Sequence, residues 1–377
     1  MKKTYIIISI IVTLLMLTGC QKANSEQDPS PTLEPTPSAV PVVTASPSDD
    51  TSEEPEDVNK DHNNRYTIED YYIIEPDTEY VYEGSGMEYA SYNIFLDYYD
   101  EDTKRYQTRT DNGGTVSGKV MEIKDGKLLL LHSEGEFYYR DNLLNINLGN
   151  TSEILLMEPL VKGTEWTLAD KSKRYISEVD VKIETELGSY EALEVTTKYE
   201  DSITKDYYAP GVGFVKSIFT TEDNYQVTST LKEMNKTPLV QEISLFYPNQ
   251  DGKIYVYNEP ITFHTNDITR LVLEKTIKDR VIKNEELPLM GINTKIKSMY
   301  LGKDMIVYID FSKEFIDEMN AGAAYESLIL QSITNTLGNY YGADEVYIMV
   351  EGKPYESGHI LLKKGETLKV NMDLVVE

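Results

Sequence analysis

Few residues in this chain of 377 have the types and spacing that catalysis or metal binding requires. The four histidines stand far apart, and none belongs to an HExxH pattern or to another pair at ligand spacing, so the sequence predicts no zinc site. A Gly-x-Ser-x-Gly elbow and a Gly-rich phosphate loop ending in Lys are both missing from it. We therefore expect no catalytic residue, no cofactor and no enzyme activity. The histidines are His62, His132, His264 and His359.

Acidic residues are abundant enough to suggest two kinds of site. The chain has 64 Asp and Glu against 36 Lys and Arg, a net charge of −28. This balance argues against nucleic acid and against electrostatic docking on anionic lipid, since both need basic surfaces. Two facing carboxylates in a cleft could cleave a glycan, and Asp97, Asp100 and Asp102 could offer oxygens to calcium. Acids this frequent form such groups by chance, so we favour neither site.

The only cysteine, Cys20, follows a short apolar segment near the start of the chain. Lys2 and Lys3 precede an apolar run at 5–17, which is shorter than the roughly 20 residues that span a bilayer. The sequence Leu-Thr-Gly-Cys that ends there resembles a bacterial lipobox. The resemblance implies cleavage between Gly19 and Cys20 and a lipid such as palmitate on Cys20, which would anchor the chain to the outer face of the cell membrane. The alternative is a spacer cysteine at the end of an ordinary signal.

Composition and periodicity divide the chain into five parts. We predict a signal peptide at 1–19 and a disordered tether rich in Pro, Ser and acids at 20–64. An antiparallel all-β domain follows at 65–235. An α+β domain then occupies 237–364, and a tail closes the chain at 365–377.

The middle domain has the pattern of short antiparallel strands. Val179, Val181 and Ile183 alternate along one strand, and Asp111–Gly114 and Asp125–Lys127 have the composition of hairpin turns. This pattern predicts a curved sheet or an open barrel of eight to ten strands. A segment around Pro210-Gly211 resembles a β-rich module of secreted lipoproteins in Gram-positive bacteria.

Tyrosine is concentrated in this domain, which holds 18 of the 29 tyrosines. Tyrosine suits half-buried strand faces, and it also suits surfaces that contact glycans or proteins because its ring is apolar and its tip polar. The first interpretation is favoured. The second leaves open a ligand-binding role for the β domain.

The elements of the C-terminal domain are predicted in the order β-β-α-β-β-α-β, with the helices on one sheet face. Asn266 and Asp267 are good N-caps for a helix predicted from Ile268 to about Ile282. A longer helix is predicted at 323–341 from its apolar stripe. The segment Thr334–Thr336 lies inside this helix and has two interpretations. Either a tertiary partner holds these polar residues, or they face a ligand.

Smaller motifs of the same domain have structural interpretations. Asp310, Ser312 and Glu314 could satisfy or complement a helix start. Glu351–Lys353 is most simply a turn.

Five ordered blocks of this region resemble the GerMN domain. They are Phe246–Gly252, Leu287–Thr294, Val307–Phe315, Ile329–Leu337 and Val346–Gly352. The resemblance implies a binding and assembly domain of bacterial cell-envelope proteins, some of which serve sporulation and germination. It carries no accepted catalytic residues, and only one copy is found here, whereas the sporulation protein of that name has two in tandem.

These patterns lead to one favoured function and two alternatives. We expect a non-enzymatic, membrane-anchored lipoprotein, extracytoplasmic in a Gram-positive bacterium, whose GerMN-like domain assembles with an envelope protein, with a role in sporulation or germination. The first alternative is capture of a small ligand, lipid or peptidoglycan fragment by the β domain. The second is a carboxylate-dependent glycan hydrolase.

Overall fold

The computed structural model describes residues 65–145, 152–280 and 287–376. The predicted signal peptide and tether, including Gly19 and Cys20, lie outside them. Among the described residues, no helix combines the length and apolar character needed to cross a membrane.

The middle region forms one antiparallel sheet, as the fold class predicted. It has twelve strands, two more than the upper limit of the predicted eight to ten. The strands are β1 (Glu79–Ser85), β2 (Tyr92–Asp100), β3 (Arg105–Asp111), β4 (Val116–Lys124), β5 (Lys127–Glu134), β6 (Glu153–Met157), β7 (Glu165–Thr167), β8 (Lys173–Thr185), β9 (Gly188–Lys198), β10 (Ser202–Ala209), β11 (Gly213–Thr221) and β12 (Gln226–Asn235). The shortest strands, β6 and β7, have too few residues for a clear period of two.

The strand order is β6-β5-β4-β3-β2-β1-β12-β11-β10-β9-β8-β7. Two six-strand meanders therefore meet where β1 pairs with β12, from Glu79 opposite Asn235 to Ser85 opposite Thr228. The sheet is open, because β6 and β7 are its two edges and do not pair with each other.

The sheet is strongly curved. Strands β4 and β10 are six positions apart in the order, which would separate them by roughly 29 Å in a flat sheet. Residues of both strands nevertheless line one cavity, and Met121 of β4 shares a core cluster with Tyr208 of β10. The two halves of the sheet must therefore face each other.

A short helix, α1 (Ile68–Tyr71), packs into this curved core. Thr67 and Asp70 form a capping box, in which the Thr67 amide donates to Asp70 Oδ2 at 2.8 Å. Ile68 and Tyr71 are buried in the same cluster as Leu128. A single turn of 3₁₀ helix at Glu88–Ala90 joins β1 to β2.

The C-terminal region mixes helices with two small sheets. Its elements are β13 (Leu239–Pro248), β14 (Ile254–Phe263), α2 (Thr269–Asp279), β15 (Ile296–Leu301), β16 (Ile306–Phe311), α3 (Glu314–Asp317), α4 (Ala323–Tyr341), β17 (Glu345–Val350), β18 (Lys353–Pro354), β19 (Leu368–Lys369) and β20 (Val375–Val376). One sheet has the order β13-β14-β20, and the other β15-β16-β17-β18, with β19 paired to β17. The α+β prediction is confirmed, but the single sheet with helices on one face was wrong.

Helix α4 explains why there are two sheets. It packs against β13 of one sheet and against β16 and β17 of the other, so it is buried on more than one side. Its bounds match the predicted 323–341, and Gly342 ends it in the left-handed conformation at φ 64°.

The polar residues inside α4 have tertiary partners, as the first interpretation expected. Asn335 Nδ2 donates to the Asn371 carbonyl at 2.7 Å, and Asn335 Oδ1 accepts from the Asn371 amide at 2.9 Å. Thr336 Oγ1 accepts from the Phe246 amide at 3.1 Å. Thr334, Asn335 and Thr336 are all buried, which contradicts the ligand-facing alternative.

The predicted caps of α2 have other roles. The helix begins one residue later than expected, after Ile268, without a side-chain cap. Asn266 has φ 68° and its Oδ1 accepts from the Tyr99 amide at 2.8 Å, while Asp267 Oδ2 accepts from the His264 amide. The expected end at Ile282 lies outside the described residues.

Two further predictions differ from the observed contacts. The segment expected to be a tail, 365–377, contributes β19 and β20, so it is part of the folded unit. Asp310 Oδ1 accepts from the Gly352 amide, and Ser312 Oγ accepts from the Lys295 amide, so these side chains join loops and strands instead of capping α3. The turn at Glu351–Lys353 is as predicted, with Glu351 at φ 54°.

The β domain and the C-terminal domain meet around one buried arginine, Arg140, which is 1 % exposed. From the β domain, its guanidinium donates to the Asp97 carbonyl at 2.7 Å and the Tyr98 hydroxyl at 2.9 Å. From the C-terminal domain, it donates to the carbonyls of His264, at 3.0 Å, and Asp267. One side chain therefore holds both domains.

The backbone of Arg140 and a second arginine complete this junction. The Arg140 amide donates to the Tyr340 hydroxyl at 3.0 Å, and the Arg140 carbonyl accepts from Thr269 Oγ1 at 2.6 Å. Asp97 supplies one negative charge beside both arginines, since its carboxylate lies 3.4 Å from Arg140 Nε and 3.0 Å from Arg109 Nη2. Asp97 is 1 % exposed, so this group of charges is shielded from water.

Replacing Arg140 tests whether this contact couples the domains. We expect Arg140→Met to lower the free energy of unfolding by about 3 kcal/mol, because Asp97 and four carbonyl or hydroxyl acceptors lose a buried charged donor. The control is Lys162→Met, which breaks the exposed pair with Glu178 and should cost less than about 1 kcal/mol. Equal losses for both variants in urea titrations would contradict the assignment.

Candidate functional site

The concave side of the curved sheet encloses a cavity of about 480 Å³. Its lining is mainly aromatic and aliphatic, with a smaller polar part. The aromatic lining residues are Tyr72, Tyr80, Tyr82, Tyr89, Tyr92, Tyr208 and Phe214. A concave, largely apolar site with a few polar groups is the usual form of a small-molecule site.

The aromatic wall is held in place by its own contacts. The Tyr82 ring stacks on the Tyr92 ring with centroids 4.7 Å apart, and the Phe214 ring lies 5.7 Å from Tyr82. The Tyr82 hydroxyl donates to the Phe214 carbonyl at 2.8 Å, and the Tyr80 hydroxyl accepts from the Glu75 amide at 2.8 Å. The wall is therefore formed before any ligand arrives.

The polar part of the cavity includes two charged side chains on strands from opposite halves of the sheet. Lys119 lies on β4 and Asp206 on β10. Asp206 Oδ1 accepts from Ser217 Oγ at 2.7 Å. Burial raises the pKa of the Asp206 carboxyl, against the opposing effect of that hydrogen bond. Burial also lowers the pKa of the Lys119 ammonium.

Two polar atoms of the lining lack partners in the described part of the chain. Lys119 Nζ has no hydrogen bond or ion pair there; Glu153 and Asp206 raise its pKa only as neighbouring charges. The Tyr72 hydroxyl is buried and has no hydrogen-bond partner. Lys119 can therefore donate to a molecule in the cavity, whereas the Tyr72 hydroxyl has almost no surface accessible to one.

The sequence pointed to the tyrosines but not to Lys119. Tyr80, Tyr82 and Tyr98 are buried, in agreement with the favoured interpretation of tyrosines on strand faces. Several tyrosines also face the cavity, which the second interpretation allowed. Ser117, Lys119 and Met121 alternate along β4, a signal that places them on one face without revealing that this face is concave.

The suggested calcium ligands do not form a metal site. Asp97 pairs with Arg109 and Arg140, while Asp100 Oδ1 accepts from the amides of Asp102 and Thr103. Within 65–145, 152–280 and 287–376, no group of three or more His, Cys, Asp or Glu side chains could hold a metal ion.

Three of the four histidines lie within the described residues, each in different surroundings. His132 Nε2 lies 2.9 Å from Glu134 Oε2, and His264 Nδ1 lies 3.0 Å from Asp77 Oδ2. His359 is on an exposed loop. His62 lies outside the described residues.

The glycan-hydrolase alternative requires two carboxylates that face each other in a cleft. A cleft of about 840 Å³ at the domain junction is lined by two acidic residues, Glu134 and Asp141. Burial is the largest cause that raises the pKa of Asp141, to about 6, and Glu134 adds to it. However, Asp141 Oδ1 accepts from the Tyr341 hydroxyl at 2.9 Å and Oδ2 from the Leu301 amide at 3.4 Å. Asp141 thus joins the two domains, whereas a general acid must reach the leaving group of a substrate.

A row of three tyrosines crosses the five-stranded sheet of the C-terminal domain. Tyr300 is opposite Tyr308, and Tyr308 is opposite Tyr347, on adjacent strands. The first two rings stack with centroids 5.4 Å apart, and the third meets Tyr308 edge-on at 5.6 Å. Tyr300 is 46 % exposed. This tyrosine row is a rigid aromatic surface of the kind enriched in protein interfaces.

Comparison with known families identifies the domain that carries this row. Residues 244–356 match the Germane family, described as "Sporulation and spore germination". The C-terminal domain is of the GerMN type. The match covers less than a third of the chain, so it describes the GerMN-type domain and leaves the β domain unassigned.

Solved structures resemble parts of the chain. The tandem GerMN domains of the sporulation protein GerM from Bacillus subtilis are 19 % identical over 35 % of this chain, with a TM-score of 0.29; the chain spans 46 % of that structure. An exported protein with a YmcC-like fold from Bacteroides fragilis is 9 % identical, covering 44 % of this chain and 98 % of its own, with a TM-score of 0.29.

A third structure, from Clostridium perfringens, is described as a lipoprotein. It is 22 % identical over 35 % of this chain and 94 % of its own, with a TM-score of 0.22. No curated protein sequence matches the chain.

The Asp141 contact makes stability depend on pH. Because the folded-state pKa rises from 3.8 to about 6, protonated Asp141 stabilises the fold fully below about pH 4, and this contribution is lost as the pH rises through 6. Relative to Asp141→Asn, the wild type should lose about 2 kcal/mol of unfolding free energy between pH 4 and pH 7. Parallel urea titrations measure the difference; a gap independent of pH would contradict the assignment.

Proposed function

We propose that this chain is a non-enzymatic lipoprotein, anchored at the outer face of the membrane, whose GerMN-type domain binds another envelope protein in sporulation or germination. The observation that carries the proposal is the family match at 244–356 together with the tyrosine row in the same region, in which Tyr300 is exposed and Tyr308 and Tyr347 are half-buried. The partner is a folded protein that covers this row.

The tyrosine row suits such a partner because little side-chain freedom remains to be lost on binding. Tyr308 Oη donates to Asp304 Oδ2 at 2.8 Å, and Tyr347 Oη accepts from the Gly365 amide at 3.3 Å. These two rings are fixed at their tips, and Tyr300 stacks on Tyr308, so the row presents area at a low entropic cost. The Arg140 junction adds to this by making the domain part of a larger unit, so the row has a fixed orientation on it.

The location and the lack of catalysis rest on the sequence. The lipobox-like segment that ends at Cys20 supports lipid anchoring at the outer face of the membrane. The description of the matched family names no reaction.

The cavity of about 480 Å³ in the curved sheet favours a second function, which is capture of a small ligand. Its preformed aromatic wall and the unpartnered Lys119 side chain support this candidate. The two functions use different surfaces, so one chain can perform both. Peptidoglycan fragments remain among the ligands to be tested.

In-cell photocrosslinking tests the assembly function. A benzophenone amino acid placed at Tyr300 should crosslink the chain to one envelope protein in membranes of sporulating cells, because Tyr300 is the most exposed ring of the row. Tyr225 of the β domain, which is 51 % exposed, is the matched control and should give no such product. Crosslinked species are identified by mass spectrometry.

A further control tests the anchor. Cys20→Ser should release the chain into the medium and abolish the Tyr300 product, because the partner is expected at the membrane. Recovery of the uncrosslinked chain alone from both growing and sporulating cells would overturn the assembly function. Equal products from Tyr300 and Tyr225 would overturn the role of the tyrosine row.

A further inference from the structure

We propose that the cavity in the curved sheet binds an amphipathic anion, with its apolar body against the aromatic wall and its carboxylate or phosphate group on Lys119. This inference rests on the second proposed function, ligand capture, and adds the chemical class of the ligand and the residue that selects it.

The apolar body follows from the lining. Tyr82, Tyr92 and Phe214 form a continuous ring cluster, and Ile94, Leu128 and other aliphatic side chains complete the wall. Removing apolar surface from water there supplies binding free energy. A small hydrophilic anion would gain little from this wall, and the net charge of −28 would repel it.

The negative group follows from the state of Lys119. Its ammonium is part of the cavity lining yet has no hydrogen-bond or ion-pair partner in the described part of the chain, and burial lowers its pKa. An anion placed on Nζ would supply the missing partner through a charge-assisted hydrogen bond. In a site shielded from water, such a bond is stronger than one at the surface.

Asp206 distinguishes this inference from binding of a cation. Its carboxylate already accepts from Ser217 Oγ at 2.7 Å, and burial raises its pKa. Of the two charged groups, Lys119 is therefore the one that still lacks a hydrogen-bond partner. Asp206 also opposes an anion by its own charge, so neutralising Asp206 should strengthen anion binding.

The test is isothermal titration calorimetry on residues 21–377, which contain the whole folded unit without the predicted signal peptide and lipid site. The probes share one ten-carbon chain and differ in the headgroup: decanoate, decyl phosphate, decanol and decyltrimethylammonium. Decanoate and decyl phosphate separate a carboxylate source from a phosphate source. At least one of them should bind about tenfold more tightly than decanol.

Four variants identify the residue responsible. Lys119→Met should weaken anion binding about tenfold, Lys119→Arg should keep most of it, and Asp206→Asn should strengthen it. Lys216→Met is the matched control, because it removes the same charge from the β domain outside the cavity lining, and it should leave binding unchanged. Thermal unfolding of each variant checks that the fold is intact.

Each contrary outcome has a distinct meaning. If no probe binds, both ligand capture and this inference fail. If decanol binds as tightly as the anions, or Lys119→Met has no more effect than Lys216→Met, ligand capture stands and the anionic class is overturned. A preference for decyltrimethylammonium would also overturn the anionic class, and it would indicate that Asp206 selects the headgroup charge.

Discussion

The buried guanidinium of Arg140 is the interaction on which the arrangement of this protein depends. It joins strand β2, through Asp97 and Tyr98, to the loop before α2, through His264 and Asp267. A charge this deep is stable only when hydrogen bonds and a counter-charge surround it. Both domains must therefore be folded and docked before the arginine is satisfied, which makes each domain a condition for the other.

This coupling bears on both proposed functions. The cavity lies in the curved sheet and the tyrosine row on the GerMN-type domain, so a rigid junction keeps the two surfaces at a constant separation. Under the two proposals, this fixed geometry would allow a captured ligand and a bound partner to be presented together.

Local sequence patterns predicted the elements far better than their assembly. The helix at 323–341 was predicted with its correct bounds, because the apolar stripe that indicates it is a local pattern. The β domain was predicted as antiparallel and curved or open from alternation and turns alone. The division of the C-terminal strands into two sheets was not predicted. It depends on α4 being buried on more than one side, whereas the apolar stripe in its sequence indicates only one buried side. Asn266 misled the prediction of α2 for a similar reason, since its side chain serves the Tyr99 amide of the other domain.

The candidate site could be predicted only in part. Tyrosine enrichment pointed to the β domain, but Lys119 belongs to the cavity only because β4 and β10 face each other across a curved sheet. Arg140 could not be recognised, since its partners come from distant segments.

Native-state hydrogen exchange tests the central claim, that Arg140 makes the two domains one cooperative unit. Core amides of β4 and of α4 should open with one common free energy, and their denaturant dependences should merge into a single global unfolding. In Arg140→Met the two sets should separate. If α4 exchanges in the wild type through an opening that leaves β4 protected, the domains are independent and the claim is contradicted.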